Sequence, residues 1–460
     1  MKAERAPSSF RDPAGFVLLK NDAVLRVLSA AGVQNYAAAV SCGLVEELTG
    51  NGCLLPTTPI DSCSAVELGG EPNGRVLEQP RLSLISYPYE WCFDELKAAA
   101  LLHLDIQRAA LRRGIELSDA TAYNIQFIGH RPVFIDIGSF IPRRASGYWR
   151  GYRQFCEQFL NPLLLQAEVG VPYNDWYRGR VRGIPTEQLA SMLRFPKRLS
   201  PRIFLHVIMH ARIIRQGGAD ASKAREGQMS DERFDYFLGS LRDWIASMSP
   251  PSIASAWTDY TQARIYTPPQ LDAKLSFVKE WTAKWRPDTV LDLGTNTGEA
   301  AFLAATLDVK SVVGIEQDEV AANIAYNQAR QRDFPVLPLV MNLTNASPSQ
   351  GWKDQEWSSF YDRCGADLVY SLAILHHLVL GEGIPLDDVV ARIVGLGRRG
   401  IIEFVPPDDP MCVAIRRRIR NYAVDYSKDR FLAALRSIAD VVGEQLVTDT
   451  GRTLYAYQRR

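Results

Sequence analysis

Beyond residue 288 the chain alternates short apolar runs with stretches of helical periodicity, and this alternation constrains the fold more than any other feature. TVLDLG is followed by EAAFLAATL, SVVGIE by EVAANIAYNQARQ, and then come VLPLVMNL, ADLVYSLA and GIIEFV. Short apolar runs separated by helices read as strands buried on both faces, and helical crossovers make such strands parallel. The expected class is therefore α/β: a Rossmann-like, mostly parallel sheet with helices on both faces. Ligands of such sheets bind at the carboxyl ends of the strands, near the switch in strand order.

The first of these strands runs into Asp292-Leu-Gly294-Thr-Asn296-Thr-Gly298-Glu299 and opens directly into a helix. Glycine lets a ligand approach the backbone, and Asn296 tolerates positive φ better than most residues. Glu316 ends the second strand, where a carboxylate can accept both hydroxyls of a ribose. Strand, glycine turn, helix, strand and acid in this order resemble motifs I and II of class I S-adenosylmethionine-dependent methyltransferases, over roughly residue 260 to the end of the sequence. A dinucleotide-binding Rossmann domain is the competing reading, and Asn296 departs from the glycine pattern of both.

The resemblance implies S-adenosylmethionine as cofactor. It places Asp292, Gly294, Asn296 and Gly298 around the methionine end, Glu316 on the ribose and Asn342-Leu343 beside the adenine. Ser371 opens the loop Ser371-Leu-Ala-Ile-Leu-His376-His377, which faces the methyl group and the acceptor in this class. An Asn-Pro-Pro-Tyr there would signal amino methylation of bases; it is absent, as is the Pro-Cys of cytosine C5 methylation. A hydroxyl acceptor gains from a base that takes its proton, and a neutral histidine suits that near pH 7. The candidate catalytic residues are His376, His377 and Glu403, which ends the fifth strand in IIEFVPPDD.

The first half reads differently. FVLLK and AVLRVL flank Asn21-Asp22, a hairpin signal, and helical patterns are expected over residues 34–48 and 91–113. RLSLIS alternates like a strand, and NIQF and PVFIDIG flank the turn Gly129-His130-Arg131. Asp119 and Asn124 stand in D-x-x-x-x-N spacing, and Asp136-Ile-Gly138 follows a strand. This block resembles the catalytic loop and metal motif of protein-kinase-like folds, especially small-molecule phosphotransferases. The resemblance implies an α+β kinase-like domain in which Asp119 takes a substrate proton while Asn124 and Asp136 hold magnesium, with ATP as the ligand. No glycine-rich loop near Gly15 and no V-A-I-K lysine can be placed, so binding without phosphoryl transfer is expected.

Lys+Arg and Asp+Glu are 52 each, so no global field attracts a polyanion. Residues 143–226 are nevertheless basic, 15 Lys/Arg against 6 Asp/Glu, and interleaved with Tyr148, Trp149, Tyr152, Trp176 and Tyr177. Basic and aromatic together suit nucleic acid, so RNA is the alternative acceptor. His206 and His210 share a helix face, but with no third ligand in view a structural role is expected. Seven cysteines without a C-x-x-C pair suit reduced thiols and a cytoplasmic protein. Residues 1–15 lack a signal-peptide core, and no apolar run reaches the ~18 residues of a span, so no membrane partner is expected.

Pro250-Pro251 sets the boundary: a kinase-like domain over 1–246 (small lobe about 1–86, helical lobe about 87–246), a linker over 247–259 and a methyltransferase domain over 260–460. The combination resembles a group of bacterial methyltransferases related to nodulation host-specificity proteins. The expected activity is methyl transfer to a small-molecule or carbohydrate acceptor, by O-methylation. A bifunctional kinase-methyltransferase and a non-catalytic binding protein are the other readings.

Overall fold

The computed structural model describes residues 4–20, 23–143, 149–216, 230–251, 266–418 and 425–460. The Asn21-Asp22 turn, Tyr148 and linker residues 252–259 lie outside them. The chain divides into two compact units: Met1–Phe127, Arg131–Ser252 and Ser349–Ser358 form the first, and Ile128–His130, Ile253–Pro348 and Ser359–Arg460 the second.

The first unit opens with an antiparallel sheet of β1 (Glu4–Arg5), β2 (Gly15–Leu19), β3 (Ala23–Leu28), β4 (Thr58–Pro59) and β5 (Arg75–Pro80), ordered β1-β2-β3-β5-β4. β2 and β3 pair with Phe16 opposite Val27 and Leu18 opposite Leu25, as the hairpin signal predicts. Leu18, Leu25, Val27 and Val76 pack into one buried cluster. The third long strand is Arg75–Pro80 rather than RLSLIS. In that stretch the Ser86 N–H and C=O are both satisfied by the Gln126 side chain, at 2.9 and 3.1 Å, instead of by a strand partner. The single helix expected over 34–48 is two, Ala30–Ser41 and Leu44–Gly50, divided at Gly43 with φ +74°.

The long helix Phe93–Leu111 begins with Glu95 accepting the Cys92 N–H at 2.7 Å, which satisfies an end group that the helix itself leaves open. β6 (Ile115–Leu117), β7 (Ile125–Ile128), β8 (Arg131–Phe134) and β9 (Phe140–Pro142) follow. The remainder is helical, and Asp231–Ala246 packs along Phe93–Leu111, locked by a bidentate Arg108–Asp235 pair at 2.8 and 2.9 Å.

The second unit is a seven-stranded sheet of β10 (Thr289–Leu293), β11 (Ser311–Glu316), β12 (Val336–Val340), β13 (Ala366–Ser371), β14 (Gly397–Phe404), β15 (Ala439–Leu446) and β16 (Thr453–Arg459). Its order is β12-β11-β10-β13-β14-β16-β15, and β16 is antiparallel to both its neighbours. The helices Pro268–Trp285, Glu299–Ala305 and Glu319–Arg332 bring Phe277, Val278, Trp281, Ala301 and Ala325 into one core with Val290, Val312 and Leu368 of the strands. Order reverses between β10 and β13, so the ends of these two strands define the crevice where such sheets take ligands.

Candidate active site

Register brings the expected cofactor residues together. Leu293 stands opposite Ser371 on β13 and opposite Ile315 on β11, so the glycine turn, Glu316 and the loop after β13 leave the sheet side by side. The turn is held by Gly294 and Thr295, whose N–H groups both donate to Ile315 O, at 2.8 and 3.0 Å. Gly294 (φ +76°), Asn296 (φ +50°) and Gly298 (φ +96°) all adopt the left-handed region. A Cβ on Gly298 would lie 2.7 Å from the Phe302 ring, and one on Gly294 would lie 2.9 Å from Ile374. Glycine suits the first and third positions by conformation, where a side chain would also have to displace the Ile374 tip or the Phe302 ring, and Asn296 fills the second as a residue that tolerates this region.

Asp292 is buried and accepts the Thr295 hydroxyl at 2.7 Å. Burial pushes its carboxyl up to about 6, against the Thr295 bond and the Lys274 charge. Glu316 is held by the Asn296 N–H at 2.8 Å and the Asp318 N–H at 2.9 Å, one on each oxygen. A carboxylate fixed in this way keeps second lone pairs for a diol. Asn342 follows β12 and takes both the N–H and the hydroxyl of Thr344 at 2.8 Å, while Leu343 O accepts the Tyr361 hydroxyl at 2.9 Å.

The loop after β13 is tightly built. Ala373 has φ +56°, a conformation that costs an alanine roughly 1–2 kcal/mol. Ser371 and His376 are fully buried, and the Ser371 Oγ and both His376 ring nitrogens have no partner. Burial, then His377 and Arg452, hold His376 down to about 2. His377 is part-exposed, its ring centroid 4.3 Å from that of His376, and burial and Arg452 lower it as well.

Glu403 belongs to a buried network that the sequence reading missed. Its Oε1 accepts the Tyr266 hydroxyl and its Oε2 the Lys274 ammonium at 2.8 Å. Arg452 donates to Tyr266 at 2.9 Å and grips Asp409 through two bonds of 2.8 Å. Burial opposes the Lys274 charge, but Glu403 and Tyr266 outweigh it and raise its pKa; Tyr266 is pushed up to about 12 by burial and then by Glu403. Glu403 thus has both oxygens engaged and no exposure, so it fixes neighbouring groups instead of reaching an acceptor. One signal was available: Lys274 lies three residues from both Leu271 and Phe277, on the apolar stripe of its helix.

In the first unit the expected trio also converges. The Asn124 amide nitrogen donates to Asp119 at 3.2 Å and to Asp136 at 3.3 Å. Arg26, the lone cation of the apolar strand β3, meets Asp136 at 2.7 Å and Asp12 at 3.4 Å. Burial, then Asp136 and Asp12, push Asp119 up to about 7. Both Asp136 oxygens are engaged, Oδ1 by Arg26 and Gly138 and Oδ2 by Asn124, and Asn124 turns nitrogen rather than oxygen toward the carboxylates. This donor set does not fit a divalent cation, and no group of three His, Cys, Asp or Glu among the described residues does. His206 bonds to the Tyr152 hydroxyl at 2.8 Å, a structural role.

The sheet order is that of a Rossmann-like α/β fold, and the glycine turn and the anchored Glu316 are the features on which the resemblance to class I S-adenosylmethionine-dependent methyltransferases rests. No protein-family model matches the chain. It is 36% identical over 460 residues to nodulation protein NoeA of Rhizobium meliloti (strain 1021), covering 99% of this chain and 96% of that protein, and it belongs to the NoeA family. Among solved structures it is similar to the N-methyltransferase NodS from Bradyrhizobium japonicum WM9 (11% identical, 42% of this chain and 97% of that one, TM-score 0.31). It is also similar to magnesium protoporphyrin IX methyltransferase from Synechocystis PCC 6803 (14%, 51% and 99%, TM-score 0.31). The bifunctional kinase-methyltransferase WbdD is a third, 17% identical over 40% of this chain and 39% of its own, at TM-score 0.30.

Proposed function

We propose that the second unit binds S-adenosylmethionine and methylates a hydroxyl of a small-molecule or carbohydrate acceptor. The observation that carries this reading is the anchoring of Glu316 across the glycine turn by the Asn296 and Asp318 N–H groups. When bound, the cofactor supplies an electrophilic methyl group on a sulfonium. The chain's own part is alignment: Glu316 accepts the ribose hydroxyls, Gly294 and Gly298 leave room for the backbone to approach, and Asp292 faces the positive methionine end. Asn342 and Leu343 border the adenine, and Ser371 opens the wall nearest the methyl group.

His377 takes the acceptor proton, since it is part-exposed and neutral at pH 7. His376, buried and neutral at every working pH, positions it from behind, and the Glu403 network braces the same edge of the sheet. RNA has less support as acceptor, because Trp149 and Tyr177 of the basic stretch are core side chains. Phosphoryl transfer in the first unit has less support as well, since Arg26 already engages Asp136. Incubating the protein with methyl-labelled cofactor and fractionated cell extract tests the reading. Label in the saccharide or metabolite fraction, lost with His377→Ala, is the expected result; label in RNA overturns the acceptor assignment.

A further inference from the structure

Between Glu187 and Asp220 the chain carries Arg194, Lys197, Arg198, Arg202, Arg212 and Arg215 and no acidic residue. A continuous helical run spans residues 201–215, with the short helix Phe195–Arg198 before it. Its apolar side chains divide between two faces. Ile203, Val207 and Ala211 are buried and hold the run to the first unit. Phe195, Leu199, Leu205 and Ile213 instead expose 72, 67, 57 and 55% of their surface, and Met192 and Phe204 are exposed as well. Arg194, Lys197, Arg202, Arg212 and Arg215 are exposed among them, and the Arg212 guanidinium lies over the Phe204 ring at 6.0 Å. Singly exposed apolar residues are ordinary; six within one basic, acid-free segment are a patch.

The chemistry of that patch selects its occupant. Lys197 is paired with Glu168 at 2.6 Å and Arg198 is turned onto the Leu193 and Ser191 carbonyls, so the exposed Arg194, Arg202, Arg212 and Arg215 carry the charge of the face. These four guanidinium groups call for a polyanionic surface, and exposed phenyl, leucyl and isoleucyl groups call for an apolar phase behind the anions. RNA supplies the charge but no apolar phase for Leu199, Leu205 and Ile213. A second copy of the same face would set cations against cations. Acidic protein surfaces offer charge, yet apolar area and anions in alternation over a whole face are the property of a lipid headgroup layer. No helix among the described residues is long and apolar enough to cross a membrane, so insertion stops at the boundary between headgroups and acyl chains.

We propose that residues 192–215 form a docking face for an anionic lipid surface, with Phe195, Leu199, Phe204, Leu205 and Ile213 entering the acyl boundary and the arginines on headgroup phosphates. This goes beyond the methyl-transfer reading and does not depend on it. It also departs from the expectation of no membrane partner, which rested on the neutral overall charge and on the lack of a signal-peptide core and of a spanning run, not on local patches.

Vesicle flotation with the full chain tests the proposal. The protein floats with phosphatidylcholine vesicles containing about a third phosphatidylglycerol and stays behind with phosphatidylcholine alone. Because the exposed positions contribute little to the core, Phe195→Ser/Leu205→Ser keeps its circular dichroism and loses binding about tenfold or more. Arg202→Gln/Arg212→Gln weakens it chiefly at low salt, where charge attraction is least screened. Three results would overturn the assignment: no flotation with anionic vesicles at low salt, equal flotation of the double serine variant, or a dimer in sedimentation that Leu205→Glu dissolves. Salt-sensitive binding of a short RNA that resists the serine substitutions, with no flotation, would assign the face to nucleic acid instead.

Discussion

Asn296 gives its backbone N–H to Glu316 at 2.8 Å, tying the turn that follows β10 to the acid that ends β11. Two residues twenty positions apart thereby set one edge of the crevice at the carboxyl ends of β10 and β11, and the intervening helix Glu299–Ala305 is aligned by the same turn.

Gly298 is the most demanding position of that turn. Alanine there adopts φ +96° and places its Cβ against the Phe302 ring. Gly298→Ala is expected to cost about 1–3 kcal/mol in urea denaturation and to weaken cofactor binding. An unchanged denaturation midpoint would show that the turn relaxes freely.

Lys274 and Glu403 form a buried ion pair 2.8 Å apart. Lys274→Met leaves the carboxylate uncompensated and should cost about 3–5 kcal/mol, while Lys274→Met/Glu403→Leu should recover much of it. Additive losses in a double-mutant cycle would contradict the pairing.

Asp292 sets a pH dependence. Its folded pKa, about 6, lies above its ordinary value of 3.8, so the folded state holds its proton more tightly than the unfolded chain. Its contribution is therefore present below about pH 4 and is lost as pH rises toward 6, by about 3 kcal/mol. Asp292→Asn has no such proton to lose. Relative to wild type it should gain stability across that window and run parallel above it; a constant difference from pH 4 to pH 7 would refute the assignment.

Arg26 is the counter-charge for Asp136 and Asp12. Wild-type protein should show no magnesium-dependent shift in Tm at millimolar concentrations. Arg26→Met should lose about 3–5 kcal/mol and regain part of it with magnesium, because three carboxylates then face one another unpaired. A magnesium shift in wild type as large as in the variant would show that the cation and Arg26 do not compete.

The C-terminal sheet was legible because its central strands are continuous apolar runs closed by Asp292, Glu316 and Ser371, so local pattern and tertiary role coincide. β15 and β16 escaped: beyond the buried Ala439, β15 alternates exposed and part-buried residues at the sheet edge, with Glu444 and Gln445 breaking the apolar pattern. The Glu403 partners escaped for a different reason. Tyr266, Lys274 and Arg452 come from either end of the unit, and only the assembled sheet brings Tyr266 and Lys274 to the Glu403 carboxylate and Arg452 to the Tyr266 hydroxyl. Arg26 was visible as a cation within AVLRVL, but nothing in the sequence said which carboxylates it would meet. The basic aromatic stretch misled because composition does not say which side of a helix a ring occupies, and Trp149 and Tyr177 turn inward.

The central claim is that the second unit is a working S-adenosylmethionine site organised by Glu316. Calorimetric titration of the whole protein with S-adenosylmethionine tests it most directly. One cofactor should bind per chain, and Glu316→Ala, by removing a charged acceptor from two hydroxyls, should weaken binding by about 1.5–3 kcal/mol, roughly tenfold to more than a hundredfold. Absence of binding to the wild-type protein, or equal affinity in the Glu316→Ala variant, would contradict the account.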